Sequence, residues 1–221
     1  MGRLTPAVFV ASLMCGVLTP GDLLCKDLEV SGYWGLTLFG ETRKMTLDGQ
    51  PSTSASAYLC GGGQAKLSLP WWNLFGFAEY RYAPQPHKLE GEPRTFARAA
   101  SSSHVMAIGG GRHIGIGMAR LGLKAGFARV HDSFTVIQFE ETELESEVER
   151  SIGDNGLLLG CDFVTPVFES VGVALSYSFL YRPSARVAGD LPMPGYHTGD
   201  TWAITVGPSE HCCMIGAAFS F

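Results

Sequence analysis

Charged residues occur at alternating positions within segments that are otherwise apolar or aromatic. Glu79 and Arg81 are two residues apart, and Arg120 and Lys124 are four apart, so each pair would point to one side of an extended strand. Charges that share a face can pair with those of neighbouring strands, or can line a passage for a small solute. Arg112 and Asp162 occur in two further segments of the same kind.

A run of glutamates between residues 140 and 149 offers a second kind of chemistry. Its carboxylates alternate with Thr, Leu, Ser and Val, so the odd-numbered ones would share one face of a projecting ribbon. Carboxylate oxygens suit divalent cations, although such a run is also typical of a solvated loop. The residues of this candidate surface cation site are Glu141, Glu143, Glu145 and Glu147.

Two short motifs contain residue types found in catalytic or metal sites but lack the necessary companions. Residues 131–133 read His-Asp-Ser, yet adjacent loop residues do not usually point three side chains at each other, and no oxyanion-hole signature accompanies them. Residues 211–213 read His-Cys-Cys, without a second ligand pair at zinc spacing. The sequence therefore predicts no enzyme, no metal site and no cofactor.

Composition narrows the classes of protein further. With 221 residues, a net charge of −5 and only 17% charged residues, the chain has no basic stripe to neutralise nucleic-acid phosphates. After residue 25 there is no apolar run near 18 residues, so helical membrane spans are not expected. The six cysteines could pair in an oxidising compartment, but the sequence does not show which.

The beginning of the chain is typical of a secretory signal. Arg3 precedes an apolar run over residues 7–18, and small residues follow at 19–21. We expect a signal peptide over residues 1–21, cleavage between 21 and 25, and one domain over 26–221. Cys15 and Cys25 suggest a lipoprotein, but each follows a large residue where lipidation sites need a small one.

Eight segments of the exported part alternate with period two, which is typical of strands that have one apolar face. The last of them places Cys213, Ile215, Ala217, Phe219 and Phe221 in one apolar row. The predicted strands are Leu28–Gly40, Ser54–Leu67, Trp71–Tyr82, Val105–His113, Gly117–Val130, Leu157–Val164, Val167–Tyr181 and His211–Phe221, with 201–207 as an extension of the last strand and a bulge near Pro208.

The connections between these segments alternate between long and short. Residues 41–53, 83–101, 131–154 and 182–200 form the long ones, and three short turns separate them. Long loops on one side and short turns on the other are typical of transmembrane barrels. We therefore predict an all-β, eight-stranded antiparallel transmembrane β-barrel with short periplasmic turns and long extracellular loops.

The inward face would then carry the charges described above, together with many small residues. Either these charges form an ion-pair plug in an interior wide enough only for side chains, or they select a small solute. Four apolar residues are also expected to face the lumen and would suit a hydrophobic solute: Phe75, Phe77, Met106 and Ile108.

The alternating last strand with its terminal aromatic resembles the closing strand of small bacterial outer-membrane barrels, OmpW-like or OmpA/OmpX-like. The resemblance implies location in the bacterial outer membrane, contact with its lipid, and an assembly signal at Phe219 and Phe221 that the assembly machinery reads. An OmpW-like barrel would be a narrow channel for small hydrophobic solutes. An OmpX/OmpA-like barrel would not conduct and would bind extracellular ligands through its long loops.

A soluble exported carrier is the rival from another class. Gly32-Tyr33-Trp34 resembles the Gly-x-Trp of the first lipocalin strand, and lipocalins are also eight-stranded barrels. The chain shows no C-terminal helix of the lipocalin kind.

Deletion of Phe221, or its replacement by a polar residue, should sharply reduce assembly into the outer membrane while secretion stays intact. The reason is the terminal aromatic on an alternating strand. The measurement is the amount of heat-modifiable, folded protein on gels, with the exported total as internal control. Wild-type levels of folded protein in the variant would contradict the assignment of the assembly signal.

Overall fold

The structure, a computed structural model, describes residues 28–47, 50–69, 72–88, 95–140, 143–190 and 201–221. The expected signal peptide lies outside these residues. Every regular element described is a strand, and no described helix is long and apolar enough to cross a membrane. The strands are β1 (Leu28–Leu47), β2 (Gln50–Ser68), β3 (Leu74–Lys88), β4 (Thr95–Ile116), β5 (Ala119–Glu140), β6 (Glu143–Pro166), β7 (Val171–Tyr181), β8 (Ala185–Asp190), β9 (Thr201–Val206) and β10 (Ser209–Ser220).

The ten segments form a closed barrel of eight strands, because two of the segments extend others. β10 pairs with both β7 and β1, which closes the sheet. β8 continues the direction of β7, and β9 continues that of β10 along the same neighbour β1. Pro183 and Pro208 lie in the two interruptions, where a residue without an N–H group does no harm to the ladder. The all-β, eight-stranded antiparallel barrel is thereby confirmed, and residues 201–206 extend the last strand as expected. The expected bulge near Pro208 does not occur, because one register with β1 runs from Glu210 opposite Phe39 to Thr205 opposite Lys44.

The stagger of the strands makes the interior narrow. Following paired residues around the barrel leads from Glu29 back to Phe39, ten positions further along the same strand. A stagger of this kind goes with strands tilted by roughly 35–45°, and eight of them enclose room for side chains only.

The outer surface is an apolar belt. Trp34, Ile108 and Phe127 point outward and are 62%, 67% and 74% exposed. Trp72, in the turn before β3, and Tyr82 on β3 are ten positions apart, a separation that in a tilted strand spans about 25 Å, the usual height of a lipid-facing band. A soluble carrier would place polar residues here, so this belt argues against the lipocalin-like alternative.

The two ends of the barrel differ. At what we call the turn end, strands connect through residues 69–73, 117–118 and 167–170. At the opposite end, which we call the hairpin end, β5 and β6 stay paired up to Glu140 and Glu143. Long loops were expected at 41–53, 83–101, 131–154 and 182–200. The described residues of the first three are all strand, and residues 185–190 of the fourth form β8, because ladder hydrogen bonds satisfy the backbone whatever the side chains.

Several positions of β4 are glycine because backbone and ring atoms of the neighbouring strands leave no room for a Cβ. An added Cβ at Gly109 would overlap the Ala125 carbonyl oxygen and come within 2.8 Å of the Phe77 ring. The turn after β4 is centred on Gly117, whose φ of 61° favours glycine, two residues later than the sequence indicated.

Gly109→Ala should lower the free energy of unfolding by about 1–3 kcal/mol, because the methyl group has no space against backbone atoms. Gly115→Ala is the matched control on the same strand, since a Cβ there meets nothing within 4 Å. Urea unfolding in detergent micelles, followed by tryptophan fluorescence, measures both. Equal midpoints for the two variants would show that β4 does not approach β5 and β3 as described.

Candidate functional site in the barrel interior

Eight charged side chains form one connected chain of ion pairs inside the barrel, which we call the ion-pair network. Four are cations and four are anions, so the network is neutral. Seven of them are at most 4% exposed; the exception, Arg120, lies at the turn end. In order of contact the members are Arg120, Glu29, Lys66, Asp162, Lys124, Glu79, Arg81 and Glu210.

Lys124 is the centre of the network. Its Nζ donates to Glu79 Oε2 at 2.7 Å and to Asp162 Oδ1 at 3.0 Å. Ser176 Oγ also donates to Asp162 Oδ1, at 2.5 Å. These charge-assisted bonds offset part of the cost of removing the ions from water.

Several pairs join opposite walls. Lys66 on β2 reaches Asp162 on β6, with 3.2 Å between Nζ and Oδ2, and Arg120 on β5 reaches Glu29 on β1. In an eight-stranded barrel these strands face each other across the lumen. At the level of these contacts the described side chains bridge the interior from wall to wall, as a plug does.

The network weakens toward the hairpin end. Arg81 lies 3.3 Å from Glu79 and 3.7 Å from Glu210 through its guanidinium nitrogens, without hydrogen bonds of good geometry in the described part of the chain. Beyond it, Arg182 Nη1 donates to Asp132 Oδ2 at 2.6 Å, and both residues are buried.

The two predicted lumen aromatics lie against the ammonium groups. Phe75 and Phe77 are buried, and their ring centroids are 5.5 Å from Lys66 Nζ and 5.7 Å from Lys124 Nζ. Rings at this distance attract cations. Both phenylalanines therefore stabilise the ion-pair network, whether or not they also line a passage for solute.

Three residues expected in the lumen face outward instead. Met106 and Ile108 are 52% and 67% exposed on the lipid-facing side of β4, and Arg112 follows with the same parity near the turn end. The expectation was wrong because the small residues of β4, such as Ala107 and Gly109, face inward. They leave the room that the rings of β3 fill.

The structure adds three members that sequence reasoning missed: Glu29, Lys66 and Glu210. Each lies two positions from a residue of the same strand that faces inward, for example Glu29 from Ser31 and Glu210 from Cys212. This spacing along the strand could have identified them as inward-facing from the sequence.

The other candidates do not assemble into a site. Asp132 points inward to Arg182 whereas His131 is exposed on the opposite face, so residues 131–133 do not form a triad. Among the described side chains, no group of three or more His, Cys, Asp or Glu could hold a metal ion. The candidate cation site lies outside the described side chains: Glu141 is not described, and only the backbone of Glu143, Glu145 and Glu147 is, as part of β6.

Toward the hairpin end, the inner faces of β6 and β7 are apolar, and the pairing between strands is interrupted beside them. The buried apolar cluster ends at the pair Leu158 and Leu180. Pairing between β6 and β7 stops one residue later, at Leu157 and Tyr181, and β8 is an edge strand in the described sheet. We call the resulting interruption between β6 and β8 the wall gap. Its aliphatic neighbours inside are Val105, Ala107, Ala128, Val130, Leu158 and Leu180.

An outer groove of about 480 Å³ lies directly below the wall gap. Phe127, Leu157, Phe179 and Tyr181 contribute to its lining. An apolar interior, an interrupted wall and an apolar outer groove therefore adjoin each other.

No family model matches the chain, and a search of the curated proteins finds no match either. The crystal structure of the outer membrane protein OprG from Pseudomonas aeruginosa is similar, with 12% identity over 89% of this chain and 96% of that chain and a TM-score of 0.61. So is that of a major outer membrane protein from Thermus thermophilus, with 11% identity over 88% and 98% and a TM-score of 0.52. At these identities the likeness shows the fold, which is that of the small bacterial outer-membrane barrels.

Lys124→Met should lower the free energy of unfolding by about 3–5 kcal/mol, because buried carboxylates lose their shared cation. Arg112→Met is the control, since it removes an exposed charge outside the network and should change stability by less than about 0.5 kcal/mol. Urea unfolding in lipid vesicles compares them. If the two variants unfold at the same midpoint, Lys124 does not hold the interior together.

Proposed function

We propose that the protein is a narrow outer-membrane conduit for small hydrophobic solutes. A solute enters at the hairpin end, which faces outside, contacts the buried apolar cluster, and leaves sideways through the wall gap into the membrane. The ion-pair network blocks the straight route, so ions and water do not follow.

The wall gap carries this proposal. It begins where the last rung of the β6–β7 ladder, between Leu157 and Tyr181, meets the inward pair Leu158 and Leu180. A small apolar molecule could therefore move along Leu158 and Leu180 to the outer groove, passing beside the buried pair of Arg182 and Asp132 without separating it. Such a path avoids the plug, where a solute would have to separate buried ion pairs at a cost of several kcal/mol.

Two partners are expected of a protein in the outer membrane: its lipid and its assembly machinery. The exposed belt supports contact with outer-membrane lipid, and the outward rings of Phe219 and Phe221 on the last strand support recognition by the assembly machinery. Both remain part of the proposal.

One observation favours a second function, a surface-interaction barrel of the OmpX/OmpA type. β5 and β6 remain paired for ten residues of β5 after Val130, far beyond the apolar belt. A projecting hairpin of this length offers backbone edges and polar side chains to extracellular ligands.

A chemical block at the wall gap tests the conduit. Ser184 is exposed in the interruption between β7 and β8, so Ser184→Cys can carry a bulky polyethylene-glycol maleimide there. We expect the labelled variant to take up a small apolar solute into proteoliposomes several-fold more slowly than the same variant unlabelled.

Ser170→Cys is the matched control, because Ser170 is exposed at the turn end, away from the wall gap. Unmutated protein treated with the same reagent controls for the native cysteines. Uptake that is unchanged by the label at Ser184→Cys would refute sideways release. Uptake by the unmutated protein no faster than in protein-free liposomes, across a panel of apolar solutes, would favour the surface-interaction barrel.

A further inference from the structure

Two cysteines from non-adjacent strands meet inside the barrel. Cys60 on β2 and Cys212 on β10 are 2% and 0% exposed, and their Sγ atoms are 3.3 Å apart. Each is a free thiol in this structure. Their 152-residue separation in sequence gave no indication of the pairing.

The geometry of β1 explains why they meet. Both strands pair with β1, Cys60 opposite Gly35 and Cys212 opposite Thr37. In a flat sheet, strands two apart are separated by about 9.5 Å. In a narrow barrel inward side chains converge, and Gly35 places no side chain between the sulfurs.

We propose that Cys60 and Cys212 form a disulfide in the exported protein. The oxidant is a protein disulfide of the thiol-exchange class found in oxidising envelopes. One thiolate attacks that disulfide and forms a mixed disulfide with the oxidant; the second thiolate then attacks the cysteine sulfur of the mixed disulfide and displaces the oxidant's thiolate. The S–S bond forms between Cys60 and Cys212, and the two electrons and two protons that they lose convert the oxidant to a dithiol.

The sulfurs need only a small movement to bond. A disulfide has an S–S length of about 2.0 Å, so the present 3.3 Å must shorten by little more than 1 Å. Disulfides join Cα atoms about 4.4–6.8 Å apart, so the backbones of β2 and β10 must also approach each other across β1 when the bond forms.

Neither of the other two described cysteines, Cys161 and Cys213, can take the place of Cys60 or Cys212 in the bond, because side chains alternate between the two faces of a strand. Cys213 follows Cys212 directly, so it points to the opposite face, where it is exposed to lipid. Cys161 shares that outer face and lines an apolar groove of about 550 Å³ together with Cys213. The interior pair is therefore specific, and these two residues serve as controls.

The bond would secure the closure of the barrel. It connects the two strands that flank β1, and so spans the seam at which the first and last strands of the barrel pair. Because both sulfurs are buried, the oxidant must reach them while β2 and β10 are pairing with β1, and reductants reach the bond only after unfolding. The enclosed loop runs from residue 60 to 212, long enough for a large loss of entropy in the unfolded chain.

Thiol mapping on the unmutated protein tests the bond directly. Outer membranes are dissolved in denaturant containing N-ethylmaleimide and no reductant, and the digested protein is analysed by mass spectrometry. We expect one peptide pair joined through Cys60 and Cys212, with Cys161 and Cys213 alkylated. Alkylation of Cys60 and Cys212, or a bond from either to any other cysteine, Cys25 included, would overturn the proposal.

Unfolding in urea with and without dithiothreitol provides the second measurement. Reductant should lower the midpoint of the unmutated protein and of the controls Cys161→Ala and Cys213→Ala. It should leave Cys60→Ala and Cys212→Ala unchanged. A midpoint of the unmutated protein that does not respond to reductant contradicts the bond. So does stoichiometric binding of copper(I) alone by two free thiols, which would identify a soft-metal site instead.

Discussion

The narrowness of the lumen is the constraint on which the rest of the structure depends. The ten-residue stagger of the eight strands brings opposite strands so close that Lys66 and Asp162 form an ion pair across the interior. Water cannot solvate charges in such a space, so each inward charge must meet an opposite one. The equal numbers of cations and anions in the ion-pair network follow from this requirement, as does the placing of aromatic rings over the ammonium groups.

The sequence allowed the faces of most strands to be predicted, because a period of two with one face in hydrocarbon tolerates few exceptions. It placed Glu79, Arg81, Lys124 and Asp162 on the side that proves to be buried. It could not show which charges pair, since that depends on the stagger, and no local pattern encodes the stagger. β4 misled the prediction for a related reason: its small residues face inward only because the rings of β3 occupy the space, and a single strand does not reveal what lies opposite.

The hairpin end was the least predictable part of the fold. Its polar segments contain turn-forming residues and charges, which locally favour loops. In the structure β5 and β6 continue as strands because each supplies the other with hydrogen-bond partners, and this depends on pairing rather than on side-chain type. The break at Pro183 ends the matching continuation on the β7 side. One long hairpin beside one interrupted strand therefore produces the wall gap.

The proposed transport depends on both the ion-pair network and the wall gap. An interrupted wall above an open lumen would let water and ions pass from the surface into the compartment below, whereas a sealed barrel with continuous walls could offer a solute no exit. Here the ion pairs that bridge opposite strands lie nearer the turn end. Leu158, Leu180 and the interrupted wall lie nearer the hairpin end, next to Glu210 and followed by the buried pair of Arg182 and Asp132. The proposed sideways route requires the seal, because only a closed lower lumen allows the upper wall to open without leakage. The neutral network is thus the condition for the proposed transport rather than an obstacle to it.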